Sequence, residues 1–308
     1  MTTDQHPGFV HWMALLLLVL VWGSSFILIK WGLLSFSANE VGALRIAISF
    51  VVLSPLVWKH IRKVPWRKLK YFLMAGIIGN GLPPFLFARA QTVIDSYMAG
   101  VLNSLTPLFT LLVGVLLFGI KTRWYNVLGV LIGFGGAVGL LTIANGTQIN
   151  NAWYGLYVVL AALCYALNMN IIKHFLSEFN ALTIASVAFF FIGIPALIYL
   201  FAGTNVVATL ADEPGAWKSL GYISVLAVLG TAMAMVIHNW LIRQTTALFT
   251  STVTYMMPMV SLAWGLVDGE RFLFGYLFWI LLILIGVFLA NRKKHNPVRW
   301  FGKSARST

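Results

Sequence analysis

Ten stretches of this chain are each long and apolar enough to cross a bilayer, for which about 20 mostly apolar residues suffice. They run Trp12–Leu34, Val41–Val57, Tyr71–Phe87, Tyr97–Ile120, Tyr125–Ile143, Trp153–Ile172, Leu182–Ala202, Leu220–Leu241, Leu248–Val267 and Phe272–Ala290. The connections are mostly short; the longest are a basic loop near Lys59–Lys70 and a polar loop at Gly203–Lys218. Only 9% of the residues are charged, too few to cover a water-exposed surface. In hydrocarbon each backbone N–H and C=O must be met within the protein, so the expected fold class is all-α integral membrane with ten transmembrane helices.

The formal net charge of +13 would raise nucleic acid as a partner in a soluble protein. Here the basic residues avoid the apolar stretches, and no aromatic-basic stripe accompanies them, so nucleic-acid binding is not expected. With the N-terminus inside, 16 of the 21 Lys and Arg fall on the inner side: Lys59, Arg62, Lys63, Arg67, Lys68, Lys70, Lys121, Arg123, Lys173, Arg243, Arg292, Lys293, Lys294, Arg299, Lys303 and Arg306. Three (Arg89, Lys218, Arg271) fall outside, and Lys30 and Arg45 lie within spans. This asymmetry predicts both termini in the cytoplasm of a bacterial-type inner membrane. The first apolar stretch exceeds the usual h-region of about 7–15 residues and has no Lys or Arg before it, so it reads as a permanent span rather than a signal peptide. The single cysteine, Cys164, excludes an intrachain disulfide and a cysteine metal site.

The chain resembles itself. Displaced by 143 positions, Trp22 meets Tyr165, Lys30 meets Lys173 and Phe36 meets Phe179; displaced by 151, Pro107 meets Pro258, Gly114 meets Gly265 and Gly135 meets Gly286. Each of the two prolines follows a polar residue four positions earlier, Asn103 or Thr254. Two halves of five spans each must enter the membrane in opposite senses, which is the inverted-repeat design of many secondary transporters. The expected units are residues 12–143, residues 153–291 and a basic cytoplasmic tail, 292–308.

Val21-Trp22-Gly23-Ser24-Ser25-Phe26 followed by Lys30, then Arg45, Pro107, Pro258 and the Gly269-Glu270 pair, resemble the motifs of the drug/metabolite transporter superfamily in its EamA-type branch. Two departures are Gly119 at the first-half position corresponding to Glu270, and Ala38 near the place of a proline that usually precedes the second-span arginine. The resemblance covers roughly Trp12 to Ala290. It implies two EamA-like five-helix repeats, a central cavity lined by the first, third, fourth, sixth, eighth and ninth helices, and export of amino acids or other small metabolites.

Polar groups inside a bilayer are unfavourable unless paired or hydrated, so they mark candidate pathways. Asn80 precedes Pro83 and Pro84, whose missing N–H groups leave carbonyls free. Asn103 and Pro107 share a face, and Pro258 with neighbouring Tyr255 repeats it, as a midplane site would; the alternative is close helix packing through small residues such as Gly100. Asn168 shares a face with Tyr165, and helix–helix hydrogen bonding competes with a cavity role. Trp22 and Ser24 complete the cavity candidates. His238 is the one histidine well within a span and a candidate proton relay, protons being a candidate coupling ion; a satisfied structural histidine near the cytoplasmic end is the alternative. Lys30, Arg45 and Glu40 are the charged candidates; an ion pair with Glu40, or snorkelling, competes with capture of a substrate carboxylate. The glycines of Tyr125–Leu141 read as a packing surface, not a phosphate loop.

These features predict a secondary active transporter that exports a small metabolite, such as an amino acid, by alternating access. The alternatives are an importer or drug-efflux protein of the same fold and, further off, a membrane-embedded enzyme. Scattered histidines with no pair at metal-ligand spacing argue against catalysis and against a metal or other cofactor. The partners expected are a small-molecule substrate and the lipid bilayer; the sequence does not speak to oligomeric state.

Overall fold

The computed structural model describes residues 8–120, 122–144, 152–245 and 247–291. Lys121 and the tail from residue 292, both part of the charge count above, lie outside the described residues, as does the side chain of Arg243. The described residues are helical, with no strand among them. The helices are α1 (Phe9–Gly32), α2 (Ala38–Ile61), α3 (Trp66–Ala90), α4 (Ser96–Phe118), α5 (Trp124–Ala144), α6 (Ala152–Phe175), α7 (Ala181–Gly203), α8 (residues 216–244), α9 (Ala247–Val267) and α10 (Gly275–Asn291), with a short helix Val206–Asp212 before α8. Seven of them, α1 to α7, are long and apolar enough to cross a membrane; α9 and α10 carry shorter apolar runs, Val253–Val267 and Gly275–Ala290. Each apolar stretch of the sequence falls on one helix.

Local chemistry sets the helix ends. At the start of α2, Ser37 Oγ accepts from the Glu40 amide while Glu40 Oε2 accepts from the Ser37 amide, a reciprocal cap. Asn180 Oδ1 accepts from the Thr183 amide at the start of α7. Helices α4 and α9 both stop at a glycine in the left-handed region, Gly119 (φ 63°) and Gly269 (φ 80°). The next residue's amide then turns back to a glycine carbonyl, Ile120 to Gly114 and Glu270 to Gly265. This pairs Glu270 with Ile120, one residue on from the Gly119 match read from the sequence.

Much of the outer surface is apolar: Leu16, Leu116, Leu131, Ile198, Leu281 and Phe288 are all exposed. Exposed tryptophans sit in the terminal turns of helices: Trp12, Trp58, Trp66, Trp124, Trp153 and Trp217. An amphipathic ring at a helix end and an apolar belt between are what a bilayer selects. Packing between helices uses small residues: a Cβ at Gly129 or Gly286 would overlap backbone of the facing helix, so α5 and α10 lie against each other along the glycine stripe.

The packing partners come in related pairs. Helix α2 packs on α7 and α5 on α10; α1 packs on α8 and α9 as α6 packs on α3 and α4. Exchanging the first five helices for the last five leaves this list unchanged. Two π-wound segments occupy corresponding places, Ala75–Gly81 in α3 and Val228–Met233 in α8. The two ends of the bundle carry different chemistry. One gathers Lys30, Asp95, Asp268 and Glu270; at the other, Lys68 reaches the Phe175 carbonyl and Glu178, and Asn126 donates to the Leu289 and Ala290 carbonyls.

Candidate functional site

Proline and wide turns shape the interior. In α3, Pro83 and Pro84 cannot donate to Gly79 and Asn80, and the helix passes through this defect as a π segment, with the Leu82 amide bonded to the Ile77 carbonyl. In α4 the helix breaks at Ser104 and Leu105 and resumes with Pro107 in its first turn. The Asn103 carbonyl, which Pro107 cannot meet, accepts instead from Thr106 Oγ1 at 2.8 Å. Pro258 stays inside a continuous α9.

A small polar cavity lies where α2, α3, α6, α7 and α8 converge. Its lining comprises Arg45, Ile46 and Ser49 of α2, Gly79, Asn80 and Pro84 of α3, Tyr165, Phe189 and Thr231. Its volume of about 20 Å³ is room for one water. The Tyr165 hydroxyl faces the Arg45 guanidinium, and the Tyr165 ring stacks on Phe87 with centroids 6.0 Å apart. Ser49 Oγ donates to the Ala227 carbonyl, just before the π segment of α8. Three sequence candidates, Arg45, Asn80 and Tyr165, thus meet at one point. Ser49 and Thr231 were missed; Ser49 stands one turn after Arg45 on the same face, a spacing that marks it in the sequence.

An ion cluster lies at the Lys30 end. Lys30 Nζ lies 2.7 Å from Asp268 and 2.7 Å from Glu270. The Glu270 carboxylate, 1% exposed, also accepts from the Ser96 and Tyr97 amides at 2.9 and 3.3 Å, the N-terminus of α4. Asp268 accepts from the Trp31 indole at 2.8 Å. Burial opposes ionisation of Asp268, but hydrogen bonds from Lys30 and Trp31 and the Lys30 charge outweigh it and hold the carboxyl below its usual range. Burial and the neighbouring Glu270 charge push Asp95 above its usual value, countered only in part by Lys30. Glu40 pairs with neither Lys30 nor Arg45. Its carboxylate is taken by the Ser37 amide and hydroxyl at 2.9 and 2.8 Å, a partner three residues away that needs no long-range geometry.

The other candidates lie apart from the Arg45 cavity, except Asn168, which packs behind its Gly79 wall. Trp22 Nε1 donates to the Gly230 carbonyl in the π segment of α8 at 3.0 Å, and its ring lies 5.3 Å from that of His238. Ser24, at the break between the two halves of α1, accepts from the Trp264 indole at 2.7 Å. Tyr255 donates to the Val287 carbonyl at 3.3 Å, across to α10. Asn103, Pro107, Tyr255 and Pro258 line no part of the cavity. Gly100 lets Ser261 of α9 approach α4, the packing alternative weighed above. Asn168 packs on Gly79, and its Oδ1 is buried without a hydrogen-bond partner.

The EamA-like transporter family model matches the chain twice, over residues 11–142 and 152–292. The chain belongs to this family. It is therefore a multi-pass membrane protein of a transporter family, and the motif residues Lys30 and Glu270, 240 positions apart, are brought into contact by the fold. The relatives carry transporter names. An uncharacterized transporter of Archaeoglobus fulgidus is 24% identical over 92% of this chain and 99% of its own length. The uncharacterized inner membrane transporter YedA of Escherichia coli is 25% identical over 82% of this chain and 80% of its own. A probable terminal-alkyne amino-acid exporter of Streptantibioticus cattleyicolor is 23% identical over 81% of this chain and 82% of its own. A crystal structure at 18% identity superimposes with a TM-score of 0.55 over 92% of this chain and 96% of that one, a likeness of fold.

Proposed function

We propose that this family member is a secondary active transporter exporting a small metabolite, such as an amino acid, across the inner membrane by alternating access. The observation that carries the reading is the exchange of packing partners between halves: α1 on α8 and α9, α6 on α3 and α4. Two halves with interchangeable contacts have two interchangeable arrangements, one open to each side. The double family match supports treating residues 12–143 and 153–291 as two five-helix repeats. With five spans apiece, ten in all, the repeats are inverted, and the basic loop before α3 and the tail 292–308 lie with both termini in the cytoplasm. The relative named as a probable amino-acid exporter supports the substrate class.

In this reading the Lys30–Asp268–Glu270 cluster closes the periplasmic end. Opening it separates α1 from the start of α4 and the end of α9. His238, packed on Trp22, is the titratable group available for coupling to protons.

The test is flux. Protein reconstituted in vesicles with inward-facing termini is loaded with radiolabelled amino acids in turn, and efflux is followed with and without a proton gradient. Efflux of at least one, saturable and absent from empty vesicles, is expected. No movement of any amino acid or related small metabolite by correctly inserted protein would defeat the reading.

A further inference from the structure

Arg45 lies seven residues into α2, about 10 Å along the helix. Among the described residues no carboxylate comes within ion-pairing distance of it; the ion pairs found there belong to Lys30 and Lys68. A cation at membrane depth without a counter-charge is costly and marks a site by default. The same cavity contains an acceptor the sequence leaves unmet. The Gly79 carbonyl has Pro83 at i+4 and Pro84 at i+5, so neither α nor π winding supplies it an N–H, and no side chain among the described residues donates to it. A second unmet acceptor adjoins it: Asn168 packs so closely on Gly79 that a Cβ there would overlap its amide, and Asn168 Oδ1 is buried with no partner.

A guanidinium that meets the Tyr165 hydroxyl but no carboxylate, beside two unmet acceptors, is the complement of a molecule with a carboxylate next to an ammonium. We propose that the pocket of Arg45, Gly79, Asn80, Tyr165 and Asn168 is the recognition site for the zwitterionic head of an α-amino acid. The carboxylate pairs with the Arg45 guanidinium, the ammonium donates to the Gly79 carbonyl and Asn168 Oδ1, and the side chain is left to extend from the pocket. This deepens the transport reading and rests on it. The cavity of about 20 Å³ admits one water, so in this proposal its walls part before an amino acid enters. The two π segments flank it, contributing Gly79 and Asn80 from α3 and Thr231 from α8, and their wide turns are where the walls can part.

The experiment uses the full chain in lipid nanodiscs. Thermal unfolding with each standard L-amino acid identifies a ligand that raises Tm. Calorimetry then compares that amino acid with its methyl ester, its decarboxylated amine and its N-acetyl derivative. Wild-type protein is expected to bind each of the three at least about tenfold more weakly than the amino acid, the scale of a lost hydrogen bond to a charged group. Arg45→Gln should abolish the discrimination against the ester, and Asn168→Leu the discrimination against the N-acetyl form. Equal binding of the amino acid and its ester by wild-type protein overturns the proposal, as does an Arg45→Gln protein that keeps the wild-type preference. The wild-type comparison needs no variant to fold. Absence of a Tm shift with every amino acid also overturns it, while vesicle efflux of a solute lacking this head would leave the transporter reading standing.

Discussion

Replacing Glu270 by Gln removes a charge from the Lys30 end with almost no change of shape. The carboxylate holds three donors, Lys30 Nζ at 2.7 Å and the Ser96 and Tyr97 amides at 2.9 and 3.3 Å. An amide oxygen in the place of Oε1 still accepts from Lys30 and Ser96, now as neutral bonds, and the Tyr97 bond to Oε2 is lost. A hydrogen bond to an ionised acceptor contributes about 1.5–3 kcal/mol and a neutral one about 1 kcal/mol. Lys30 retains Asp268, and its side chain is 31% exposed, so its share is discounted for screening. The net loss is on the order of 2–3 kcal/mol, which is roughly a thirtyfold to hundredfold shift in the balance between closed and open ends at about 1.4 kcal/mol per decade. The assay uses Cys164→Ala as a thiol-free background. Ser24→Cys then serves as reporter, six residues and about 9 Å further in along α1 than Lys30. Labelling by a membrane-impermeant maleimide from the Lys30 side should accelerate by that factor when Glu270→Gln is added. If labelling stays at the background rate while Tm falls as calculated, the cluster stabilises the fold without gating it, and the reasoning fails.

Other expectations follow from the same geometry. Gly286→Val should destabilise the protein by about 1–3 kcal/mol or more, because its Cβ would meet Gly133 backbone, whereas Gly135→Ala, with no atom within 4 Å of the added Cβ, should be neutral or slightly stabilising; thermal unfolding in nanodiscs separates the two. Asp95 has a raised folded value, so its contribution to stability is full below the unfolded value of 3.8 and is lost as pH rises through the folded one. Asp95→Asn should therefore raise Tm at neutral pH, with the gain vanishing as pH falls towards 3.8. Asp268 has the opposite sign: its contribution is present above 3.8 and lost as pH falls through its depressed value, so Asp268→Asn should lower Tm at neutral pH and have no effect at strongly acid pH. In intact cells, thiols at positions 63 and 294 should both resist an impermeant maleimide and both react after permeabilisation; reaction of only one would remove the even number of crossings.

The helices, their approximate ends and the family motifs were legible in the sequence because they depend on short-range chemistry. Apolar run length against bilayer thickness, missing proline donors and the distribution of Lys and Arg are properties of neighbouring residues. They located α1 to α10 but not the short helix Val206–Asp212 inside the loop Gly203–Lys218, pointed to Asn80 beside the double proline, and named Lys30, Arg45 and Tyr165. Only the tertiary structure decided which of these groups meet. Sequence proximity favoured Glu40 as a partner for Lys30 or Arg45, yet Glu40 is spent on its own helix start, and Lys30 is matched by Asp268 and Glu270 from the far end of the chain. It also separated Asn103, Tyr255 and Pro258 from the Arg45 cavity and brought Ser49 and Thr231 into it. The physical reason is that a polar side chain in lipid seeks whichever partner lies across the helix interface. That interface is set by which helix each glycine stripe faces and by the exchange of partners between the two halves, neither of which any one helix contains.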